Sequence, residues 1–260
     1  MITLIQNGVG LEDELRGMID NHPAEAVVKE GTFRILAPIQ RPRRNIFCVG
    51  KNYADHILEV SNASGGSEPP PAPKYPQFFS KVPETVIGPG EEIPSHIATT
   101  KWLDYEAELA VIVGKEGRDI SRADADSHIF GYTIANDVSA REVQKRHVQF
   151  MKGKCLDRTC PLGPFILHKR DIGDPAALSI KLWVNDELRQ DSNTRSMIFD
   201  IPEIIRQLSQ GMTLLPGDVI LTGTPAGVGF AMNPPRMLGE GDHIKIEIER
   251  LGRLENWVGK

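Results

Sequence analysis

The pattern of hydrophobic and polar positions divides most of the chain into short apolar runs separated by turn residues. Runs of strand length, mostly bounded by Gly, Pro or Asp, predict β-strands. These predicted strands cover residues 77–80, 108–113, 129–135, 163–168, 178–185, 218–222 and 243–249. A further strand, a turn at Gly50 and a short helix are predicted within residues 45–60, where Asn52 could cap the helix and Asp55 lies in its first turn.

Two other segments carry clearer helix signals. Residues 139–150 open with Ser139 and Glu142, a spacing that predicts a capping box. Residues 200–211 open with Asp200 and Glu203, continue with isoleucines and a leucine on one face, and stop at a glycine. Strands outnumber helices, so too few helices are left to act as crossovers. We therefore predict an α+β, predominantly β fold with a mixed sheet.

Composition along the chain suggests how it is organised. Residues 1–42 hold a short apolar opening, an acidic segment and the proline-containing stretch APIQRPRR, which predict a small N-terminal appendage. Residues 43–260 are then the main domain. Residues 61–76 are rich in Ser, Gly and Pro, which predicts an irregular loop that is either a disordered insertion or a mobile lid.

One predicted strand begins with acid instead of apolar residues. In WLDYEAELAVIVG, Asp104, Glu106 and Glu108 occupy every second position, which places them on one face of a strand. A solvated sheet edge is the simpler interpretation, since charged residues are rarely buried unpaired. The alternative is a bound cation, because neighbouring carboxylates repel one another and hard oxygen donors select Mg²⁺, Mn²⁺ or Ca²⁺.

Three other places hold candidate chemistry. Asp137 lies between an apolar strand and the predicted helix at Ser139, where it could be a third ligand. Arg141 and Gln144 share a face near that helix N-terminus, which favours a bound anion, although Arg141 could equally pair with a surface acid. His56 and Glu59 lie three apart on one helical face, either as a surface contact or as a carboxylate-oriented base.

Turn segments hold the remaining candidates. Lys152 and Lys154 lie among turn residues, and residues 214–229 run a strand into a glycine-rich loop that carries Thr222 and Thr224. The loop lacks the Gly-Lys-Ser/Thr ending of a nucleotide-binding P-loop. It is therefore a tight turn between strands or a place of close backbone approach to a ligand.

Composition excludes several classes of protein. The net charge of −5 and the absence of long basic runs argue against nucleic-acid binding. The N-terminus lacks the features of a secretory signal, and no apolar stretch approaches the length of a membrane span. Three scattered cysteines fit neither a disulfide framework nor a zinc site. We expect a soluble, cytoplasmic protein with no nucleic-acid or membrane partner.

Several segments together resemble the fumarylacetoacetate hydrolase family. They occur in the family's order and spacing over residues 43–258, and they read GKNYADHILE, FFSKVPETVIGPG, DYEAELAVIVG, ANDVSARE, CPLGP, RQDSNTRSMIFDI and GDVILTGTPAGVG. The resemblance implies a mixed β-roll of the fumarylacetoacetase C-terminal-domain type, a homodimer, and Mg²⁺ or Mn²⁺ held by Glu106, Glu108 and Asp137.

The same resemblance implies roles for other side chains. His56 and Glu59 match a catalytic dyad borne on a lid in the acylpyruvate-hydrolysing members, and Lys154 matches a catalytic lysine. The implied substrate contacts are Lys81, Arg141, Gln144 and Thr224.

These roles predict metal-dependent hydrolysis of a carbon–carbon bond in a 2,4-dioxo acid, such as fumarylpyruvate or acetylpyruvate, with release of pyruvate. The alternatives within the same site are decarboxylation of oxaloacetate or another β-keto acid, and isomerisation of a 2-hydroxyhepta-2,4-diene-1,7-dioate. A non-catalytic metabolite-binding protein is the alternative from another class.

Overall fold

The computed structural model describes residues 1–7, 12–29, 31–66 and 71–260. Its strands are β1 (Ile46–Gly50), β2 (Gln77–Lys81), β3 (Val86–Ile87), β4 (Glu92–Ile93), β5 (Leu103–Asp104), β6 (Ala107–Val113), β7 (Ile129–Asn136), β8 (Ser139–Ala140), β9 (Cys160–His168), β10 (Ser179–Val184), β11 (Glu187–Asn193), β12 (Val219–Leu221), β13 (His243–Ile248) and β14 (Gly252–Val258). Its α-helices are α1 (Ile2–Asn7), α2 (Glu12–Asp20), α3 (Ala54–Ala63), α4 (Arg141–Arg146), α5 (Met151–Lys154) and α6 (Ile201–Ser209). Strands dominate, so the predicted α+β class is confirmed.

The strands form two large mixed sheets and one small one. The first sheet has the order β2-β1-β12-β6-β7-β9-β3, with parallel pairing of β1 with β12 and of β3 with β9. The second sheet has the order β11-β10-β13-β14-β4, and β5 and β8 form the small sheet. In the first sheet β6 and β7 are antiparallel, with Ala107 opposite Asn136. That register brings the start of β6 beside the end of β7.

The main core lies between the two large sheets and α6. Leu109, Val111 and Val113 of β6 face it, together with buried residues of β10, β13 and α6. Ala110 and Ile112 of β6 face the opposite side, where they pack with a second buried cluster. Because successive strand residues alternate between faces, a continuous apolar run such as 109–113 is the expected signature of a strand covered on both sides.

The second cluster includes residues from the N-terminal segment. Ile5, Ala37 and Ile39 are buried there against the first sheet. This burial accounts for three of the apolar positions within residues 1–42, while others such as Val27, Phe33 and Ile35 are exposed. The domain boundary at residue 42 stays a prediction. Within the described ranges, no α-helix combines the length and the apolar character that crossing a bilayer requires.

Two local predictions about helix starts are wrong. The segment 139–150 is a short strand followed by α4, and Ser139 donates to the Asp137 carbonyl at 2.9 Å instead of capping the helix. Helix α3 is preceded by Tyr53 as its N-cap, while the side chain of Asn52 bonds to backbone groups of Thr222 and Phe199. Tertiary contacts therefore take the polar side chains that local spacing assigned to capping.

Two other predictions have a mixed outcome. Asp200 does cap α6, since its carboxylate accepts from Glu203 N at 3.0 Å, and Gly211 follows the helix with a φ of +69°. The predicted loop at 61–76 begins later than expected, because α3 continues to Ala63; residues 64–66 and 71–76 hold no helix or strand. Positions 67–70 of that loop lie outside the described residues.

Candidate active site

Three carboxylates meet where β6 begins and β7 ends. One ligand atom from each of Glu106, Glu108 and Asp137 lies within 4.8 Å of the others, and all three residues are buried. The backbone fixes this arrangement, since Asp137 N donates to Glu106 O at 2.8 Å. We call these residues the carboxylate triad. Their burial rules out the solvated-edge interpretation.

Asp104 does not belong to this triad. The strand is interrupted between β5 and β6, so the three acids do not share one face of a continuous strand, as alternation predicted. Glu106 N bonds to the Asn136 side chain at 3.0 Å where a strand would use a backbone carbonyl. The Asp104 carboxylate instead accepts from Gly229 N at 2.8 Å and Phe230 N at 3.2 Å.

Buried cations surround two members of the triad. Lys154 Nζ lies 2.6 Å from Glu106 and 2.8 Å from Asp137, and Arg141 Nη1 lies 2.6 Å from Glu106. Burial opposes ionisation of Glu106, but the charges of Lys154 and Arg141 outweigh it and lower its pKa to about 2. Burial also opposes the charge of Lys154, yet Asp137 and Glu106 raise its pKa. The lysine therefore stays an ammonium at neutral pH.

Glu108 has a different environment. Its Oε2 accepts from Gly223 N at 2.6 Å, but burial and the charges of Asp137 and Glu106 raise its pKa well above the usual range. A divalent cation among the three carboxylates would supply the missing positive charge. Oxygen-only donors select hard cations, the class that includes Mg²⁺, Mn²⁺ and Ca²⁺. The residues therefore fit a divalent metal, and the donor set does not choose among these ions.

His56 and Glu59 form a hydrogen-bonded pair on α3. His56 Nδ1 lies 2.8 Å from Glu59 Oε1, and Glu59 Oε2 accepts from Gly227 N at 2.7 Å. Gly227 has a φ of +106°, and a Cβ there would lie 1.9 Å from the Arg189 carbonyl oxygen, so only glycine fits. The pair is thus attached to the loop of residues 222–229, which we call the glycine-rich loop.

Arg141 and Gln144 lie at the start of α4. Arg141 Nε donates to Asp104 at 2.8 Å, and its guanidinium carbon lies 5.6 Å from the centre of the Phe230 ring. Gln144 Oε1 accepts from Arg141 at 3.4 Å. Arg141 is therefore held by two buried carboxylates, Asp104 and Glu106, and not by a surface acid.

One cavity of about 960 Å³ joins these groups. Among its lining residues are the charged and polar candidates His56, Glu106, Glu108, Arg141, Gln144, Lys154 and Thr224. Apolar walls come from Val60, Phe79 and Phe150. A largely apolar pocket with a few convergent polar groups is the usual form of a small-molecule site.

Lys81 lies outside this wall, although the resemblance implied a substrate contact. Its side chain is fully buried, and Nζ lies 2.9 Å from Asp137 Oδ1. It also donates to the carbonyl oxygens of Val138 at 3.1 Å and Lys154 at 2.5 Å. In this structure Lys81 contacts the triad from behind and does not face the cavity.

The whole main domain matches a known family. Residues 45–259 fit the sequence profile described as fumarylacetoacetate (FAA) hydrolase C-terminal. The chain belongs to the fumarylacetoacetate hydrolase family. The resemblance predicted from its motifs is thereby confirmed, over nearly the same residues.

Individual relatives in this family carry different activity names. The chain is 51% identical over 226 residues to oxaloacetate tautomerase YisK of Bacillus subtilis (strain 168), covering 87% of this chain and 73% of that protein. It is 46% identical to the structure of a fumarylacetoacetate hydrolase from Exiguobacterium antarcticum, with a TM-score of 0.79, covering 96% of this chain and 87% of that one. A 2-hydroxyhepta-2,4-diene-1,7-dioate isomerase from Mycobacterium marinum is 38% identical, with a TM-score of 0.72, over 87% and 77%.

Sequence patterns missed some contributors to this family site. Gln190 on β11 is buried and bonds to the glycine-rich loop, and Phe230 packs on Arg141. Gln190 lies in RQDSNTRSMIFDI, one of the segments that carry the family resemblance, so its position was visible but its contacts were not. Nothing local marks Phe230, because its role depends on a distant helix.

Proposed function

We propose that the protein is a metal-dependent enzyme that interconverts the enol and keto forms of a small 2-oxo diacid of the oxaloacetate type. The observation that carries the proposal is the His56–Glu59 pair, whose histidine lines the same cavity as Glu106, Glu108 and Lys154. Tautomerisation needs a base that removes one proton and returns it to another atom of the same substrate. The name of the Bacillus subtilis relative supports the choice of reaction.

Each residue has a role that follows from its contacts. A divalent cation on Glu106, Glu108 and Asp137 would polarise the 2-oxo group and the adjacent carboxylate of the substrate. Glu59 accepts from His56 Nδ1, which leaves Nε2 as the basic nitrogen that moves a proton between C3 and the enol oxygen. Lys154 lines the cavity and stabilises the negative charge of the enolate. Arg141 and Gln144, in the first turns of α4, orient the substrate.

The test follows the decay of enol-oxaloacetate by ultraviolet absorbance, with Mg²⁺ or Mn²⁺ and then with EDTA. His56→Asn is expected to reduce the catalysed rate by roughly 10²–10⁴-fold, the range for loss of a general base. A matched control is His243→Asn, since His243 also pairs with a glutamate, Glu255, at 3.0 Å but lies away from the cavity lining. Full activity in His56→Asn would remove the dyad from the mechanism.

Hydrolysis of an acylpyruvate is the second candidate, and the size of the cavity favours it. About 960 Å³ is near the top of the roughly 300–1,000 Å³ range of small-molecule sites, which leaves room for an acyl group beyond a diacid. The same dyad would then activate water for attack on the distal carbonyl. Pyruvate release from fumarylpyruvate or acetylpyruvate would support this function.

Parallel substrates separate these functions from the remaining alternatives. Pyruvate release from oxaloacetate indicates decarboxylation, and conversion of 2-hydroxyhepta-2,4-diene-1,7-dioate indicates the isomerase activity named for the Mycobacterium marinum protein. Metal-dependent enol decay without pyruvate is the result expected for a tautomerase. Inactivity on all four substrates, with tight diacid binding, would indicate a metabolite-binding protein. A homodimer stays a prediction, which light scattering after gel filtration would test.

A further inference from the structure

Gln190 connects the strand of the carboxylate triad to the glycine-rich loop. It is 1% exposed and lies on β11, behind the cavity wall. Its Oε1 accepts from Ala107 N at 2.9 Å. Its Nε2 donates to Thr224 Oγ1 at 2.9 Å and to Pro225 O at 2.8 Å.

The orientation of this amide is fixed by its backbone partners. Ala107 N is an obligate donor and Pro225 O is an obligate acceptor. A flipped amide would place NH₂ against the Ala107 N–H and oxygen against the Pro225 carbonyl, which costs two buried hydrogen bonds. The amide group that reaches Thr224 is therefore NH₂, a donor without acceptor capacity.

This orientation decides what the Thr224 hydroxyl can do. A hydroxyl has one proton to donate, and Thr224 Oγ1 already accepts from Gln190. Within the described residues, no acceptor receives the Thr224 proton, and Thr224 lines the cavity. The proton is thus available for a ligand in the cavity.

We propose that Gln190 is a positioning residue that turns the Thr224 hydroxyl into a hydrogen-bond donor toward the ligand. The ligand atom at Thr224 is then a hydrogen-bond acceptor, and the carboxylate, carbonyl and enolate oxygens of a 2-oxo acid are of this kind. The inference rests on the proposed function in that the ligand is taken to be a 2-oxo acid.

Oxalate binding tests the inference without any turnover. Calorimetry with saturating Mg²⁺ compares the wild type with Gln190→Glu, Gln190→Met and Thr224→Val. Glutamate still accepts from Ala107 N but also accepts the Thr224 proton, so the hydroxyl turns away from the ligand. We expect oxalate to bind about tenfold or more weakly to Gln190→Glu, as for loss of a hydrogen bond to a charged group. Gln190→Met frees the hydroxyl to rotate, and a loss of only about threefold is expected.

A purely structural role predicts the opposite order. Methionine loses all three hydrogen bonds of Gln190 and glutamate retains one, so a loop-holding role would make Gln190→Met the weaker binder. That order would overturn the inference. The affinity for Mg²⁺ itself, measured without oxalate, is expected to change less than about threefold in Gln190→Glu, because the contact to the triad strand is retained. A larger change would mean that Gln190 acts through the carboxylate triad and not through Thr224, and it would also overturn the inference.

A double-mutant cycle separates hydroxyl orientation from the added negative charge. In a Thr224→Val background no hydroxyl remains to be turned, so the Gln190→Glu step should shrink to about twofold. An equal loss in both backgrounds would mean that charge or loop displacement causes the effect. Failure of wild-type protein to bind oxalate would also reject the inference. If oxalate binds with the expected pattern but enol decay is not accelerated, the proposed function fails and the role of Gln190 stands.

Discussion

Ion pairs of similar length occur in two contrasting regions of this molecule. Around the carboxylate triad, Lys81 and Lys154 approach carboxylates at 2.6–2.9 Å with side chains no more than 2% exposed. On the second sheet, Arg253 lies 2.8 Å from Glu247 and 3.1 Å from Glu255 with 54% of its side chain exposed. Distance alone does not separate the two groups. Exposure to water separates them, because solvent screens the ion pairs of the second sheet and is excluded from those around the triad.

The largest expected effect on stability comes from replacing a buried lysine that does not face the cavity. Lys81→Met should lower the free energy of unfolding by about 3–5 kcal/mol, since it removes one of the two buried cations that pair with Asp137 and leaves two backbone carbonyls unpaired. The matched control is Lys181→Met on β10, whose amine lies 3.6 Å from the half-exposed Asp191 and should matter by less than about 0.5 kcal/mol. Urea unfolding measures both. Equal effects would refute the distinction between the regions.

Removing carboxylates from each region tests the difference between them through metal binding. In the double variant Glu106→Gln/Glu108→Gln the affinity for Mg²⁺ or Mn²⁺ should fall by more than the roughly 10–100-fold typical of a lost outer-shell partner. Glu247→Gln/Glu255→Gln removes the same number of acids from the outer face and should leave the affinity unchanged. Calorimetric titration provides the measurement. Retention of wild-type metal affinity in the first variant would place the metal elsewhere.

An exposed acid can still matter when its partner is the backbone. Asp200 is 42% exposed and pairs with Arg122, but it also caps α6, so Asp200→Ala should cost about 1 kcal/mol of stability. Asp200→Asn retains a capping oxygen and should recover most of that loss. Asp191→Ala, at 51% exposure and paired with Lys181 at 3.6 Å, should be nearly neutral. Thermal unfolding of the three variants tests whether the cap, and not the charge, makes the difference.

The smallest effect concerns an ion pair on the surface of α6. Hydrogen bonds from Arg206 and Gln207 lower the pKa of Glu203 to about 2. A lowered pKa stabilises the folded state above the unfolded pKa near 4.5, and this stabilisation is lost as pH falls toward 2. Because Glu203 and Arg206 are both partly exposed, at 20% and 33%, we expect about 0.3–0.5 kcal/mol. The difference in free energy of unfolding between the wild type and Glu203→Gln should therefore shrink between pH 5 and pH 2. A difference that stays constant over this range would contradict the assignment.

The parts of the fold that sequence predicted are those decided locally. The apolar runs of β6 and β7 and the Asp200 cap of α6 follow from neighbouring residues, and the structure contains them. Strands β11 and β14 were missed because they are largely polar: in ELRQDSN only Gln190 is buried. These strands form through pairing with β10 and β13, a contact that no local pattern encodes.

For the site, too, the sequence identified residues but did not predict their contacts. Family motifs pointed to Glu106, Glu108 and Asp137, and the structure brings them within 4.8 Å of one another. The same motifs could not place Lys81 behind the triad, because its position depends on the packing of β2 against α5 and on the carbonyls of Val138 and Lys154. Nor could spacing reveal that Ser139 pairs opposite Asp104 instead of capping α4. Catalytic and binding roles for these residues stay predictions until the variants are measured.

The glycine-rich loop also sets when the site can exist during synthesis. Gly223 N reaches back 115 positions to Glu108, and Gly227 N reaches back 168 positions to Glu59. Strand β12, which leads into this loop, pairs in parallel with β1 through Phe47 and Ile220. Contacts of such long sequence separation carry a large loop-closure cost and cannot form before the intervening chain has been synthesised. A growing chain on the ribosome therefore contains His56 and the carboxylate triad long before the site can form, because the glycine-rich loop has not yet been synthesised.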